Sequence, residues 1–159
     1  MNNENNNSKN VRIWIDADAC PKVIKEVIFK FCLRLKVPVT LVANSYMNIP
    51  THPLINFVKV ESGDDVADKY IAEHVNVNDL VITADIPLAG DIVKSGAMAI
   101  NPRGELYDED NIGERLSIRD FMQDLRDGGL VTGGPDAFSD KDKINFTNSL
   151  NKILTQKGL

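Results

Sequence analysis

Cysteine and histidine are scarce in this 159-residue chain, with two of each. Cys20 and Cys32 lie in or beside one predicted helix and build no disulfide framework, so a reducing compartment, the cytoplasm, is the expected home. His52, beside Pro53 in a loop, and His74, late in a helix, stand at no strand end and read as surface residues. No apolar run approaches the roughly 20 residues that a membrane span needs. Basic excess is missing too. The formal net charge is -5 and the sequence pI about 5.0, which counts against broad non-specific DNA binding. A nuclease stays open, because catalytic aspartates supply part of that charge and bound cations offset it. The first ten residues have neither the apolar nor the basic region of a secretory signal. Their Asn-rich composition predicts a disordered tail, residues 1–10, outside the fold.

What is present fits one globular domain over residues 11–157: 43% hydrophobic and 26% charged residues, with length for an ordinary core. Strand and helix signals alternate. Val11–Ile15 is a short β-rich run, and Pro21 fits the first position of a helix whose apolar residues Val23, Ile24, Val27, Ile28, Phe31 and Leu35 recur at helical spacing. Strands are expected at Val37–Ala43, Phe57–Val60, Leu80–Thr83 and Ala97–Ile100. Ser62, with Asp65 three residues on, makes a capping-box pattern that opens a helix through Ala67, Tyr70, Ile71 and Val75. Leu88, Ile92 and Val93 mark another helix. After Asn101-Pro102-Arg103-Gly104 the pattern turns helical, over Ile112–Asp127 and Asp140–Lys157, around a glycine-rich loop from Gly128 to Pro135. Such alternation predicts βαβ units, hence an α/β fold with a central, mostly parallel sheet of about five strands and C-terminal helices.

Aspartates gather at one end of that sheet. Asp16 and Asp18 follow the first strand, Asp64, Asp65 and Asp68 begin the helix after the third, and Asp85 follows the fourth. That edge is where open α/β sheets bind ligands. Carboxylates converging from separate strands repel unless a cation joins them, and hard oxygen ligands suit Mg²⁺ or Mn²⁺. Each residue also has a plain structural reading: Asp64 and Asp65 complementing a helix dipole, Asp18 capping the first helix, Asp68 solvated.

The stretches Ile13-Trp14-Ile15-Asp16-Ala17-Asp18-Ala19-Cys20-Pro21, Ser62-Gly63-Asp64-Asp65-Val66-Ala67-Asp68, Ile82-Thr83-Ala84-Asp85-Ile86-Pro87-Leu88-Ala89 and Asn101-Pro102-Arg103-Gly104 resemble the YaiI/YqxD family of uncharacterised bacterial proteins. Ile112-Gly113-Glu114-Arg115 and Val131-Thr132-Gly133-Gly134-Pro135 extend the likeness. That family is similar to PIN-like domains, whose better-known members are metal-dependent ribonucleases. The resemblance implies a three-layer PIN-like (Rossmann-like) fold and a metal-dependent nuclease acting on RNA. It matches Asp16, Asp65 and Asp85 to the catalytic acids, with Asp18, Asp64 and Asp68 as further metal ligands.

Arg115, Arg119 and Arg126 fall within about 40° of one another on a helix, with Ile118, Phe121, Met122 and Leu125 as its buried stripe. Arg103, Arg115 and Arg119 are the candidate substrate-binding cations. Their partner is a substrate phosphate, the chain's own acids, or solvent. Cys20 reads as a small residue in a tight turn, because neighbouring carboxylates raise a thiol pKa, and Cys32 as core. Two other functions compete. A haloacid-dehalogenase-like phosphatase is prompted by Asp16-x-Asp18, although Thr83 follows the acidic motif instead of preceding it. The other is a non-catalytic metal- or RNA-binding module.

Overall fold

The computed structural model describes residues 10–131 and 137–159. Most of the Asn-rich segment and residues 132–136 of the glycine-rich loop lie outside the described residues. Six strands form one sheet in the order β3-β2-β1-β4-β5-β6. They are β1 Ile13–Asp16, β2 Val39–Ala43, β3 Ile55–Lys59, β4 Leu80–Ile82, β5 Met98–Ile100 and β6 Leu106–Tyr107. Every pairing is parallel except β5 with β6.

The strands read as almost unbroken apolar runs because both faces of the sheet are covered, as parallel sheets require. Side chains alternate across it. Ile13, Ile15, Leu41, Leu80, Ile82 and Ile100 enter one core, against α1 (Lys22–Leu35) and α5 (Asp140–Gln156). Trp14, Val42, Val81 and Ala99 enter the other, against α2 (Val66–His74) and α3 (Ile86–Lys94). Two helical layers thus sandwich the sheet. At its lower end Asp79, fully buried, accepts from Trp14 Nε1 at 2.9 Å, Asn76 N at 2.9 Å and Arg12 N at 3.2 Å. A buried carboxylate with three donors is satisfied, and it ties β1 to the entry of β4.

Several expectations change. Ser62 does not start a helix. Asp65 is the N-cap of α2, at φ 66°, and no side chain caps the end, so the Ser62–Asp65 pattern forms no capping box. Pro21 stands one residue before α1 as its N-cap, and β3 begins two residues earlier than the Phe57–Val60 run. A sixth strand appears because the Asn101–Glu105 turn is a hairpin: Asn101 Oδ1 accepts from Arg103 N at 2.9 Å and Glu105 N at 3.0 Å, and Gly104 takes φ 94°. The largest difference concerns α4 (Ile112–Asp127), which buries no residue. Ile118 is 45% and Phe121 62% exposed, and Met122 and Leu125 are half-buried, so no residue of the expected stripe enters the core. The start of the helix packs, with Ile112 and Leu116 against Gly90 of α3.

Candidate metal centre

The chain leaves β1 for β2 and β3 on one side, then returns to β4 on the other. Connections diverge at that switch point, and the strand ends there open a crevice. Asp16, the last residue of β1, and Thr83, just after β4, face one another across it. Thr83 Oγ1 donates to Asp16 Oδ2 at 2.9 Å and accepts from Asp85 N at 3.0 Å. Asp85 is the N-cap of α3, its Oδ1 accepting from Leu88 N at 2.8 Å. One threonine therefore holds both strand-end aspartates in place.

From the neighbouring turn comes α2. Asp65 sits in the left-handed region, tolerated by aspartate better than by most residues, and its carboxylate caps nothing. Asp65, Asp68 and Asp85 each place one carboxylate oxygen so that the three atoms lie within 4.8 Å of one another. Among the described residues no other trio of His, Cys, Asp or Glu is so close.

Crowding like charges shifts their titration. Burial, then Asp85, Asp16, a hydrogen bond with Asp85, and Asp65 push the Asp68 carboxyl up to about 7. Asp16, buried at 9% exposure, is also raised, by burial above all and by Asp85 and Asp18, while the Thr83 hydrogen bond opposes. Both shifts favour a proton on the cluster over full ionisation. The consequence is measurable. Asp68 binds a proton in the folded protein that the unfolded chain releases from its ordinary value of 3.8 upward. Folded stability without metal should therefore fall as pH rises from about 4 through 7 and level off above. After solvent screening the effect is on the order of 1 kcal/mol, or about 2–4 °C in melting temperature. Melting curves in chelator at pH 5, 6, 7 and 8 should show this slope in wild type and its loss in Asp68→Asn; parallel slopes would refute it.

Not every sequence candidate joins the trio. Asp64 is exposed in the turn before α2, outside the close group. Asp18 does not cap α1; its Oδ2 accepts from Asn44 N at 2.8 Å, fastening the first loop to the end of β2. The arginines have acids of their own. Arg103 pairs with Asp142 at 2.7 Å, Arg115 with Glu105 at 2.5 Å and Arg119 with Asp120 at 3.1 Å. Cys20 is buried, and burial with nearby Asp16 outweighs Lys25 to push its thiol up to about 12. It is a neutral packing group. Lys25 was not a sequence candidate: its Nζ donates to Ala17 O, between the two first-loop aspartates, at 3.4 Å. Neither its spacing nor its helix marked it.

A family model described as "Uncharacterized BCR, YaiI/YqxD family" matches residues 14–156. The chain belongs to this family. Among YaiI/YqxD relatives, a UPF0178 protein of Maridesulfovibrio salexigens is 60% identical over 92% of this chain and 97% of its own length. One from Shewanella sp. strain MR-7 is 57% identical over 91% and 95%, and one from Marinomonas sp. strain MWYL1 is 52% identical over 92% and 99%. No solved structure matches the chain. No helix among the described residues of this YaiI/YqxD chain is long and apolar enough to cross a membrane.

Proposed function

We propose that this protein is a Mg²⁺- or Mn²⁺-dependent phosphodiesterase acting on nucleic acid, RNA foremost. The observation that carries the reading is the Asp65–Asp68–Asp85 trio at the switch-point crevice, with Asp16 buried behind it. The donors are all carboxylate oxygens, the set that hard divalent cations prefer. With one oxygen from each of the three within 4.8 Å of the others, Asp65, Asp68 and Asp85 are the residues that would hold such an ion. A divalent ion there would make a water more acidic and offset charge on a phosphodiester.

The chain's own residues do the positioning. Thr83 fixes Asp16 and the Asp85 backbone, the Leu88 amide orients Asp85, and the left-handed turn at Asp65 brings α2's acids toward the crevice. Arg103, Arg115 and Arg119 supply positive charge on the β5–β6 side. The Arg115 and Arg119 side chains are each 44% exposed, and exposed ion pairs are worth only about 0–1 kcal/mol, so exchanging an acid for a substrate phosphate costs little. A phosphatase using Asp16 as nucleophile fits less well, because that carboxylate is buried and engaged by Thr83.

The test is turnover on RNA, single-stranded DNA and a phosphomonoester, with Mn²⁺ or chelator, for wild type, Asp68→Asn and Asp85→Asn. Metal-dependent cleavage of a phosphodiester that falls at least about a hundredfold in both variants is expected, since even outer partners of metal ligands are worth 10- to 100-fold. Cleavage of the phosphomonoester alone, or metal binding without turnover, would overturn the reading in favour of a phosphatase or a non-catalytic module.

A further inference from the structure

A groove of about 580 Å³ runs between the first half of α1 and the segment after β2, with Phe29, Met47 and Ile49 among its apolar walls and Lys22 and Lys25 among its polar ones. Lys25 ties it to the loop that carries Asp16 and Asp18. The Lys25 ammonium that donates to Ala17 O also lies 3.3 Å from Met47 Sδ, inside the groove. Asp18 holds Asn44, two residues before Tyr46. Tyr46 is 79% exposed, yet its ring is placed: it stacks on Phe57 with centroids 5.8 Å apart at 25°. Lys59 Nζ stands 5.5 Å from the Tyr46 centroid. The first turn of α1 contains no acid and no capping side chain, so no side chain of the helix itself offsets the positive end of its dipole.

On a chain of net charge -5, Lys22 and Lys25 line the groove, with Glu26 its one acid, and the exposed Tyr46 ring with Lys59 beside it directly precedes the groove-lining Met47 in the chain. Ring and cations in this order match one chemistry: unpaired bases joined by phosphates. We infer that the groove takes the single-stranded segment of nucleic acid leading away from the aspartate trio, Tyr46 stacking on a nucleobase and Lys22, Lys25 and the start of α1 holding phosphates. This rests on the nucleic-acid reading above and adds what it lacks, a preference for single strands. A duplex offers no free base face to Tyr46, and its width exceeds a groove whose volume is that of a small-ligand site.

Fluorescence anisotropy of labelled ten-nucleotide RNA and DNA single strands, and of the matching duplex, tests the inference in chelator and again with Mn²⁺. Tyr46→Ala should weaken single-strand binding about 5- to 100-fold, the range for one lost base stack, while Tyr46→Phe stays within about twofold because the ring is kept. Lys22→Gln with Lys25→Gln should lower the salt-dependence slope by about 1.4, and Lys22→Gln alone by about 0.7. Wild type should bind the duplex more weakly than the strand and indifferently to Tyr46. Equal single-strand affinity in wild type and Tyr46→Ala, or a duplex bound as tightly as the strand, would overturn the groove. The metal-induced rise in melting temperature, measured alongside, should be unchanged in these variants. Its absence in wild type would fell the metal reading while strand binding in chelator still judges the groove.

Discussion

Saturating Mn²⁺ is expected to raise the melting temperature of the wild-type protein by roughly 5–10 °C, and Asp68→Asn, Asp65→Asn and Asp85→Asn to lose most of that rise. A ligand at a hundred times its Kd stabilises a fold by about 2.7 kcal/mol, which in a domain of this size is that many degrees. The three aspartates lie in the close trio, so each asparagine removes one anionic ligand. The fold should tolerate the changes. Asparagine caps helices as well as aspartate does, so Asp85→Asn keeps the start of α3. Asp68→Asn should even stabilise the metal-free protein at pH 8, because it removes a carboxylate whose charged form is disfavoured first by burial and then by the neighbouring acids, the causes that push it up to about 7. Such sites trade stability for function. Asp64→Asn is the control: exposed and outside the trio, it should keep the full metal response. Thermal unfolding with metal and with chelator decides it. A Mn²⁺ shift equal in wild type and all three trio variants would place the metal elsewhere.

The second large effect lies far from that chemistry. Gly104→Ala should lower stability by about 2–5 kcal/mol, from overpacking of roughly 1–3 kcal/mol added to about 1–2 kcal/mol for a side chain in left-handed backbone. Gly104 has φ 94°, and a Cβ there would stand 2.7 Å from both Asn145 C and Asn145 O and 2.9 Å from Phe146 N. Those are backbone atoms of α5, which cannot rotate away. The turn is pinned on both sides, by Ser149 Oγ donating to Gly104 O at 2.7 Å and by Arg103 reaching Asp142 within the α5 capping box. Separating α5 to admit a methyl would open the core around Phe146 and Leu150, both fully buried. Gly113→Ala is the contrast. Its Cβ would meet nothing within 4 Å in α4, so the higher helix propensity of alanine should leave stability unchanged or raised by up to about 1 kcal/mol. Denaturant melts of both variants against wild type test the pair, and a Gly104→Ala midpoint within error of wild type would show that the turn moves aside freely.

Periodicity carried much of the fold. Apolar four- and five-residue runs alternating with 3.6-spaced helices specify a covered parallel sheet because only that arrangement buries both strand faces and one stripe of each helix. For the same reason the aspartates' place along the chain, after β1, before α2 and after β4, was legible. Two-residue β6 carried no periodic signal, since a strand so short is defined by its turn and its partner. The outward face of α4 was illegible for a related reason: an apolar stripe states that a helix can be covered, and only the positions of other elements decide whether it is. The local capping pattern at Ser62–Asp65 lost to the left-handed turn at Asp65, a choice made where β3 hands over to α2.

The sequence by itself determined an α/β sandwich with acids clustered at one sheet edge, through repeating patterns that any stretch of chain displays locally. Tertiary structure alone decided which acids meet. It put Asp65, Asp68 and Asp85 within 4.8 Å, left Asp64 outside, gave Asp18 to Asn44 and gave each candidate arginine an acid partner. It also set Lys25 against Ala17 O and stacked Tyr46 on Phe57. Those outcomes depend on how strands distant in sequence are ordered in the sheet and how a helix is turned at its first residue, and distances of a few ångströms between such elements have no counterpart in a pattern along one chain.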